Sequence, residues 1–412
     1  MHHKSSRKIP VSLFDISQDI IKSVPFELIK EWLSSDHSLA AARKILEPTI
    51  VEGITVCSDS SGLSKISQEK SLIEVLEIID KPKQIVYALG TKIGGREVGI
   101  WAADNTQMFY PKNLDTTEII STQLKIQEYI ASLANIKIGM GAHYGKFYDI
   151  GGGLYGIDAE FIESISEDQT EGGEIVISEA IKNKLGEGFK LELRNDLENN
   201  YQKIYRVLDG PKNTIDFDYS KFYPIPYSES FYNDLLKFSQ NKSRSALDEL
   251  NKKYLEEKVV VLVERAKESD LIAEIQLLDD IALYAAMEKS STDLLSKFDG
   301  EEIKTVSNLG IYTFNDVNKA IEFSKHFRKI LTEENIPCKV GITSGEVIIF
   351  ELNNKTKDIA GSPVNISSKL AQDKGKFGKI YIHAPATNSI CPPGFIEQSV
   401  IASHVEIKYF EN

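Results

Sequence analysis

An internal repeat constrains the fold of this 412-residue chain more than any other feature of its sequence. Several blocks recur in the same order, offset by roughly 200 residues, and chance rarely produces such an ordered set. Residues 136–146 match 338–346, residues 155–161 match 360–366, and residues 172–177 match 377–382. A chain of this length holds two or three domains, so the repeat predicts two copies of one domain.

The two copies differ in their acidic residues. In the first copy, Asp59 follows an apolar strand and Asp104 lies in a tight turn between two strands. At the matching places, the second copy has Arg265 (or Glu264, depending on the alignment) and Asn308. We therefore expect the second copy to lack the carboxylate pair, and one active site to be built from unlike halves.

The coarse order of elements predicts an α+β fold. Each copy follows the order strand, helix, strand–turn–strand, helix, strand, which is typical of a ferredoxin-like (split βαβ) sheet with its helices on one face. The other face would be free to line a cleft. We expect a helical N-terminal extension (1–46), a first domain (47–208), a linker with a helix (209–257) and a second domain (258–412).

Bulk composition excludes several classes of partner. The net charge of −13 argues against a nucleic-acid polymer or an anionic membrane surface. No apolar run is long enough to span a bilayer, and three scattered cysteines predict neither a disulfide framework nor a zinc site. The sequence thus predicts a cytoplasmic protein.

Asp59 and Asp104 are candidate ligands for two Mg²⁺ or Mn²⁺ ions, because hard cations take carboxylate oxygens together with substrate phosphates. The Ser60 backbone is a further candidate ligand. Small residues after Asp59 would bring backbone N–H groups close to a polyphosphate. The predicted phosphate-binding loop consists of Ser60, Ser61, Gly62, Leu63 and Ser64.

Over most of residues 50–412, the sequence resembles the tandem catalytic domains of class III nucleotidyl cyclases, including soluble adenylyl cyclases. Asp59-Ser-Ser-Gly-Leu-Ser64 is similar to the family's Asp-Ile-x-Gly-Phe-Thr block, and Ala103-Asp104 stands where the family has Gly-Asp. Gly341-x-x-x-Gly345-Glu-Val347, Gly361-x-x-Val-Asn365 and Gly172-Gly-Glu-Ile175 also match.

The resemblance implies roles for four residues of the second copy. Lys304 and Asp358 stand at the family's adenine-reading pair, and Asn365 at its ribose-orienting asparagine. Lys369 stands where the family has an arginine that stabilises the transition state. A lysine keeps the positive charge but loses the bidentate fork of arginine.

The resemblance therefore implies an enzyme that converts ATP to 3′,5′-cyclic AMP and pyrophosphate. The two domains would form an intramolecular pseudo-heterodimer with one composite site and a degenerate second pocket. One chain would suffice for activity, and further oligomerisation stays open. Two alternatives remain: a cyclase for GTP or a pyrimidine nucleotide in a signalling or phage-defence system, and a weak or inactive nucleotide-binding sensor or scaffold.

Overall fold

A computed structural model describes nine stretches of the chain: residues 26–99, 101, 104–194, 201–216, 228–266, 272–306, 308–351, 357–402 and 405–412. The chain divides into two compact units. The first unit is Leu46–Leu247, and the second combines residues 26–45 with Asp248–Asn412. Within the described residues, no helix is both long and apolar enough to cross a membrane.

The secondary structure is numbered along the whole chain. The helices are α1 (Phe26–Ser34), α2 (Leu39–Leu46), α3 (Leu63–Glu69), α4 (Leu72–Lys92), α5 (Thr116–Leu133), α6 (Ile157–Asp168), α7 (Glu179–Lys182), α8 (Glu229–Gln240), α9 (Arg244–Tyr254), α10 (Ala273–Phe298), α11 (Val317–Glu333) and α12 (Ser362–Ser368). A π-helical turn, Lys369–Asp373, follows α12 directly.

The strands of the first unit are β1 (Ile50–Ser61), β2 (Arg96–Glu97), β3 (Thr106–Pro111), β4 (Lys137–Ile150), β5 (Gly153–Tyr155), β6 (Ile175–Ser178), β7 (Lys190–Arg194) and β8 (Ile204–Asp209). Those of the second unit are β9 (Glu256–Arg265), β10 (Gly300–Val306), β11 (Leu309–Phe314), β12 (Cys338–Glu351), β13 (Lys357–Ala360), β14 (Ile380–His383), β15 (Ile396–Ala402) and β16 (Val405–Glu411).

The two sheets have the same topology. The first runs in the order β2-β3-β1-β4-β6-β8-β7 with β5 paired to β4, and the second in the order β10-β11-β9-β12-β14-β16-β15 with β13 paired to β12. In both sheets, the central pairing is antiparallel and the next one along, β4 with β6 or β12 with β14, is parallel. The prediction of an α+β fold built from two copies of one sheet is confirmed.

The central strand of each sheet is buried on both faces. In β1, Gly53–Ser58 are all buried. Ile54 and Val56 face the main core beneath α4 and α5, whereas Cys57 packs with Ile162 and Ile165 of α6. Helices on one face with the other face free were therefore the wrong expectation: α6, and α12 in the second unit, cover part of the second face because alternate residues of the strand are apolar on both sides.

The helices of residues 26–45 pack in the second unit. Trp32 of α1 is fully buried, and its indole Nε1–H donates to Asp279 Oδ1 of α10 at 2.8 Å. At the surface, Arg43 of α2 pairs with Glu274 of α10 at 3.0 Å. The linker with a helix expected over residues 209–257 contains two helices, α8 and α9, with Asn241–Ser243 between them.

Replacing Trp32 should destabilise the second unit. Trp32→Ala removes a fully buried aromatic side chain and should lower the free energy of unfolding by roughly 3–5 kcal/mol. Trp32→Phe keeps most of the apolar area but loses the hydrogen bond to Asp279, so a loss of about 1–3 kcal/mol is expected. Chemical denaturation measures both. Lys30→Ala, at an exposed position of the same helix, is the control and should change stability by less than about 0.5 kcal/mol.

Candidate active site

Two aspartates of the first unit meet at the end of the central strand pair. Asp59 is the tenth residue of β1 and lies opposite Gly139 of β4. Asp104 precedes β3, whose residue Thr106 is paired with Ser58 of β1. The antiparallel register therefore carries Asp104 alongside the end of β1. The two carboxyl groups share a hydrogen bond.

Burial disfavours the ionised form of both carboxyl groups. Burial, and then the charge of Asp104, raise the pKa of Asp59 to about 7. Burial also raises the pKa of Asp104, although the Lys83 ammonium offsets part of this effect. The Ser60 N–H donates to both carboxyl groups. Such a pair binds a proton or a cation readily, because either one relieves the repulsion.

The donor chemistry of this pair fits a small divalent cation. Mg²⁺ and Mn²⁺ take oxygen ligands, commonly one or two carboxylates completed by water and substrate phosphates. Among the described residues, no group of three or more His, Cys, Asp or Glu side chains is placed to hold a metal ion. The two aspartates and the backbone of Ser60 remain the candidate ligands for such an ion in the described part of the chain.

The segment after Asp59 is a tight turn from strand to helix. Ser61 ends β1, Gly62 has a left-handed backbone (φ 83°), and Leu63 and Ser64 begin α3. The Gly62 carbonyl accepts from the N–H groups of Lys65 and Ile66, whereas the first N–H groups of a helix have no acceptor within it. The Ser60 Oγ is buried and has no hydrogen-bond partner among the described residues.

Lys304 and Asp358 form an ion pair in the second unit. Lys304 lies at an irregularity in β10, and Asp358 lies in β13 opposite Phe350 of β12. The Lys304 Nζ is 2.5 Å from Asp358 Oδ1. The lysine side chain is 35% exposed and the aspartate side chain 12%, so one edge of the pair stays accessible to a ligand.

Asn365 and Lys369 lie one turn apart on one helix. Asn365 is an exposed residue of α12, and Lys369 begins the π-helical turn that follows. The Lys369 N–H donates to the Asn365 carbonyl, so the two side chains project from the same side of the helix. π-Helical turns inside helices are frequent at functional sites.

No protein-family model matches the chain, and no curated protein matches it. The chain does match solved structures. A class III adenylyl cyclase-like ATP-binding protein from Pseudomonas aeruginosa aligns over 82% of this chain and 85% of its own, with a TM-score of 0.51 and 12% identity. The chain has the fold of class III nucleotidyl cyclases.

Single cyclase domains align with part of this cyclase fold. The adenylyl cyclase CyaB from P. aeruginosa aligns over 39% of this chain and 96% of its own, with 15% identity and a TM-score of 0.35. The guanylyl cyclase domain of the RhoGC fusion protein from the fungus Blastocladiella emersonii aligns over 39% and 97%, with 20% identity and a TM-score of 0.34.

The strand register decides which residue of the second unit stands at the place of Asp59. Gly145 of β4 and Gly345 of β12 are matched glycines of the repeat. Gly145 lies opposite Gly53 of β1, and Gly345 lies opposite Lys258 of β9. Asp59 is six residues after Gly53, and Glu264 is six residues after Lys258. Of the two candidates for this place, Arg265 and Glu264, the register therefore selects Glu264. Arg265 is the next residue of the strand, so its side chain points to the other face of the sheet. It is fully buried and paired with Asp280 at 2.8 Å.

Other expectations are settled only in part. Asn308 does stand at the place of Asp104, because Gly310 lies opposite Val263 of β9 as Thr106 lies opposite Ser58 of β1. Ala103 lies outside the described residues, as does the side chain of Ser64.

The sequence interpretation missed Lys83. This lysine of α4 is fully buried, and its Nζ donates to the Trp101 carbonyl at 2.8 Å, three residues before Asp104. A lysine within the apolar pattern of an amphipathic helix is a signal that could have identified it, since buried lysines need partners. Its charge favours the ionised form of Asp104.

The free energy of unfolding of the metal-free protein should depend on whether the Asp59 carboxyl is protonated. The folded-state pKa of about 7 lies above the unfolded value of about 4. The protonated carboxyl therefore favours the folded state below pH 4, and this contribution is lost as pH rises to about 7. Thermal denaturation with a chelator present should show stability falling over this range, and Asp59→Asn should flatten the decline.

Asp36 provides a control of opposite sign. Hydrogen bonds from Ser38 lower the pKa of this exposed carboxyl, so its titration falls below the same range. Asp36→Asn should leave the decline between pH 4 and pH 7 in place. If the Asp59→Asn profile retains the wild-type slope, the carboxyl pair does not titrate as described.

Proposed function

We propose that this protein is a nucleotidyl cyclase that converts ATP to 3′,5′-cyclic AMP and pyrophosphate. The proposal is supported by two units that share one fold but carry different sets of site residues. The first unit brings Asp59 and Asp104 into contact, and the second holds Lys304 beside Asp358 at 2.5 Å. The proposal requires both residue sets to act on one nucleotide, as in an intramolecular pseudo-heterodimer whose second pocket is degenerate.

In the proposed reaction, the ribose 3′-oxygen attacks the α-phosphorus and pyrophosphate leaves. Two Mg²⁺ or Mn²⁺ ions held by Asp59 and Asp104 would supply activation of the 3′-hydroxyl and neutralisation of the triphosphate. The N–H groups at the start of α3 would contact phosphate oxygens. Asn365 would orient the ribose, and the Lys369 ammonium would stabilise charge that develops on the α-phosphoryl group.

Base selection is assigned to the Lys304–Asp358 pair. The ammonium is a donor for adenine N1, and the carboxylate is an acceptor for the 6-amino group. Guanine presents a donor at N1 and an acceptor at C6, so it would place like groups against each other. Because the two side chains already pair with each other, they are held at the spacing of neighbouring positions on one base edge.

A second candidate function is nucleotide binding without turnover. The structure aligned over most of the chain is described as an ATP-binding protein that is cyclase-like. In this chain, Lys369 stands where cyclases carry an arginine. Loss of one preorganised donor to the transition state costs roughly 10²–10³ in rate, and a lysine recovers only part of it. Tight binding of an ATP analogue without product would favour this candidate.

The decisive experiment compares ATP, GTP, CTP and UTP as substrates with Mn²⁺, with products identified by mass spectrometry. We expect 3′,5′-cyclic AMP and pyrophosphate, with at least about tenfold preference for ATP, because a mismatched base leaves buried polar groups unpaired. Lys304→Ala and Asp358→Ala should reduce this preference. A strong preference for a pyrimidine nucleotide would contradict the assignment of the pair.

The same assay tests the metal ligands. Asp59→Ala and Asp104→Ala should each reduce turnover at least about 100-fold, whereas Asp293→Ala, at an exposed position of α10, serves as the control without effect. Near-full activity of either aspartate variant would remove that residue from the proposed metal site.

Restoring an arginine at position 369 should accelerate the reaction. Lys369→Arg supplies a planar fork that donates two hydrogen bonds to phosphoryl oxygens, so kcat should rise by roughly tenfold or more with little change in KM. Lys369→Met should lower kcat, because it removes the charge and keeps the approximate length. Equal rates for the lysine and arginine forms would contradict a role for this residue in the transition state.

A further inference from the structure

The second unit has a buried lysine beside the counterpart of the metal ligand Asp59. Glu264 of β9 occupies the place of Asp59, and its cross-strand neighbour is Lys339 of β12. In the first unit, the neighbour of Asp59 is Gly139. The same position of the strand pair is therefore a glycine in the first unit and a lysine in the second.

Lys339 is held in place by three groups. Its side chain is only 9% exposed. The Nζ lies 2.9 Å from Glu264 Oε2, donates to the Gln372 carbonyl at 2.8 Å, and lies 5.2 Å from the centre of the Phe377 ring. A buried ammonium is tolerated when a carboxylate and hydrogen-bond acceptors surround it.

The remaining positions around Lys339 also differ in charge. Asn308, at the place of Asp104, donates from Nδ2 to Glu264 Oε1 at 3.3 Å and to the Arg265 carbonyl at 3.2 Å. Gln372 matches Glu167 of the first unit, since both lie eleven residues after the matched glycines Gly156 and Gly361. The second unit therefore combines one carboxylate with one ammonium.

The first unit has three carboxylates at the same positions. The charge of Glu167 adds to that of Asp104 in raising the pKa of Asp59. At Gly139, a Cβ atom would lie 2.9 Å from both the carbonyl oxygen and the Cγ2 of Thr170. A side chain there would collide with backbone, so a tethered cation cannot be placed beside Asp59 without a shift of residue 170.

We propose that the Lys339 ammonium is a built-in cation that takes, in the second unit, the electrostatic role that a divalent ion has beside Asp59 and Asp104. This inference rests on the metal assignment in the proposed function and extends it. Lys339 neutralises Glu264, while Asn308 donates to that carboxylate instead of repelling it. Metal binding is thereby confined to the first unit, and the second unit needs no ion to balance its charge.

The test counts Mn²⁺ ions bound per full-length chain by electron paramagnetic resonance of free Mn²⁺. All variants carry Asp59→Asn and Asp104→Asn, so that the first site is disabled. Adding Lys339→Gly with Asn308→Asp recreates a carboxylate pair beside a glycine, as in the first unit, and should add at least one bound Mn²⁺ per chain. The matched control, Lys339→Arg with Asn308→Asp, keeps a cation and should add none.

The possible outcomes separate this inference from the proposed function. Mn²⁺ binding that is unchanged by Asp59→Asn and Asp104→Asn overturns the metal assignment in the first unit. A folded Lys339→Gly, Asn308→Asp variant that gains no ion overturns the role of Lys339, and so does an equal gain in the arginine control.

A thermal denaturation cycle tests the charge balance where the glycine variant does not fold. Lys339→Met leaves Glu264 without its counter-ion and should lower Tm by roughly 5 °C or more. Adding Glu264→Gln removes the stranded charge and should restore most of that loss. If the double variant is no more stable than Lys339→Met alone, Lys339 does not serve as the counter-ion of Glu264.

Discussion

The register of one antiparallel strand pair governs the chemistry of each unit. Twelve consecutive residues of β1 pair with β4, and ten of β9 pair with β12. Because side chains alternate between the two faces of a strand, this register decides which residues near the strand end point towards α6 or α12. A slip of one residue would exchange Asp59 for Ser60. The long pairing holds the carboxyl pair in contact despite its repulsion.

Electrostatic strain is distributed unequally between the two copies. In the first unit, two carboxyl groups share a hydrogen bond. Burial raises the pKa of each, and the charge of Asp104 further raises the pKa of Asp59. In the second unit, the corresponding group is an ion pair, Glu264 with Lys339 at 2.9 Å. Functional sites commonly retain such unfavourable charge because ligand binding relieves it. Under the proposed function, this asymmetry assigns cation binding to the first unit.

Much of the fold followed from the sequence, because the repeat and the alternation of apolar residues are local signals. Several repeat blocks in the same order, including those around Gly145 and Gly345, together predicted two copies of one domain. The coverage of the second face was missed, since the apolar residues of α6, such as Ile162 and Ile165, mark an apolar helix face but not the sheet face that it covers.

The candidate site was harder to predict where it depended on register. Glu264 and Arg265 are adjacent in sequence, and only the pairing with Lys339 and Cys338 decides which one matches Asp59. Lys339 itself belongs to a repeat block, yet its significance required knowing what lies across the strand. The contact of Lys304 with Asp358, 54 positions apart in sequence, was expected from the family resemblance. Lys83 was missed because its contact with the Trp101 backbone carbonyl leaves no pattern of side chains in the sequence.

The packing of α1 has a consequence for the order in which the protein is made. Trp32 and its partner Asp279 are separated by 247 positions, and the whole first unit, Leu46–Leu247, is synthesised between them. During translation, the first unit can therefore fold as a continuous piece, while the apolar face of α1 waits for α10. Leu28, Ile29 and Trp32 can therefore reach their buried positions only after α10 has been synthesised.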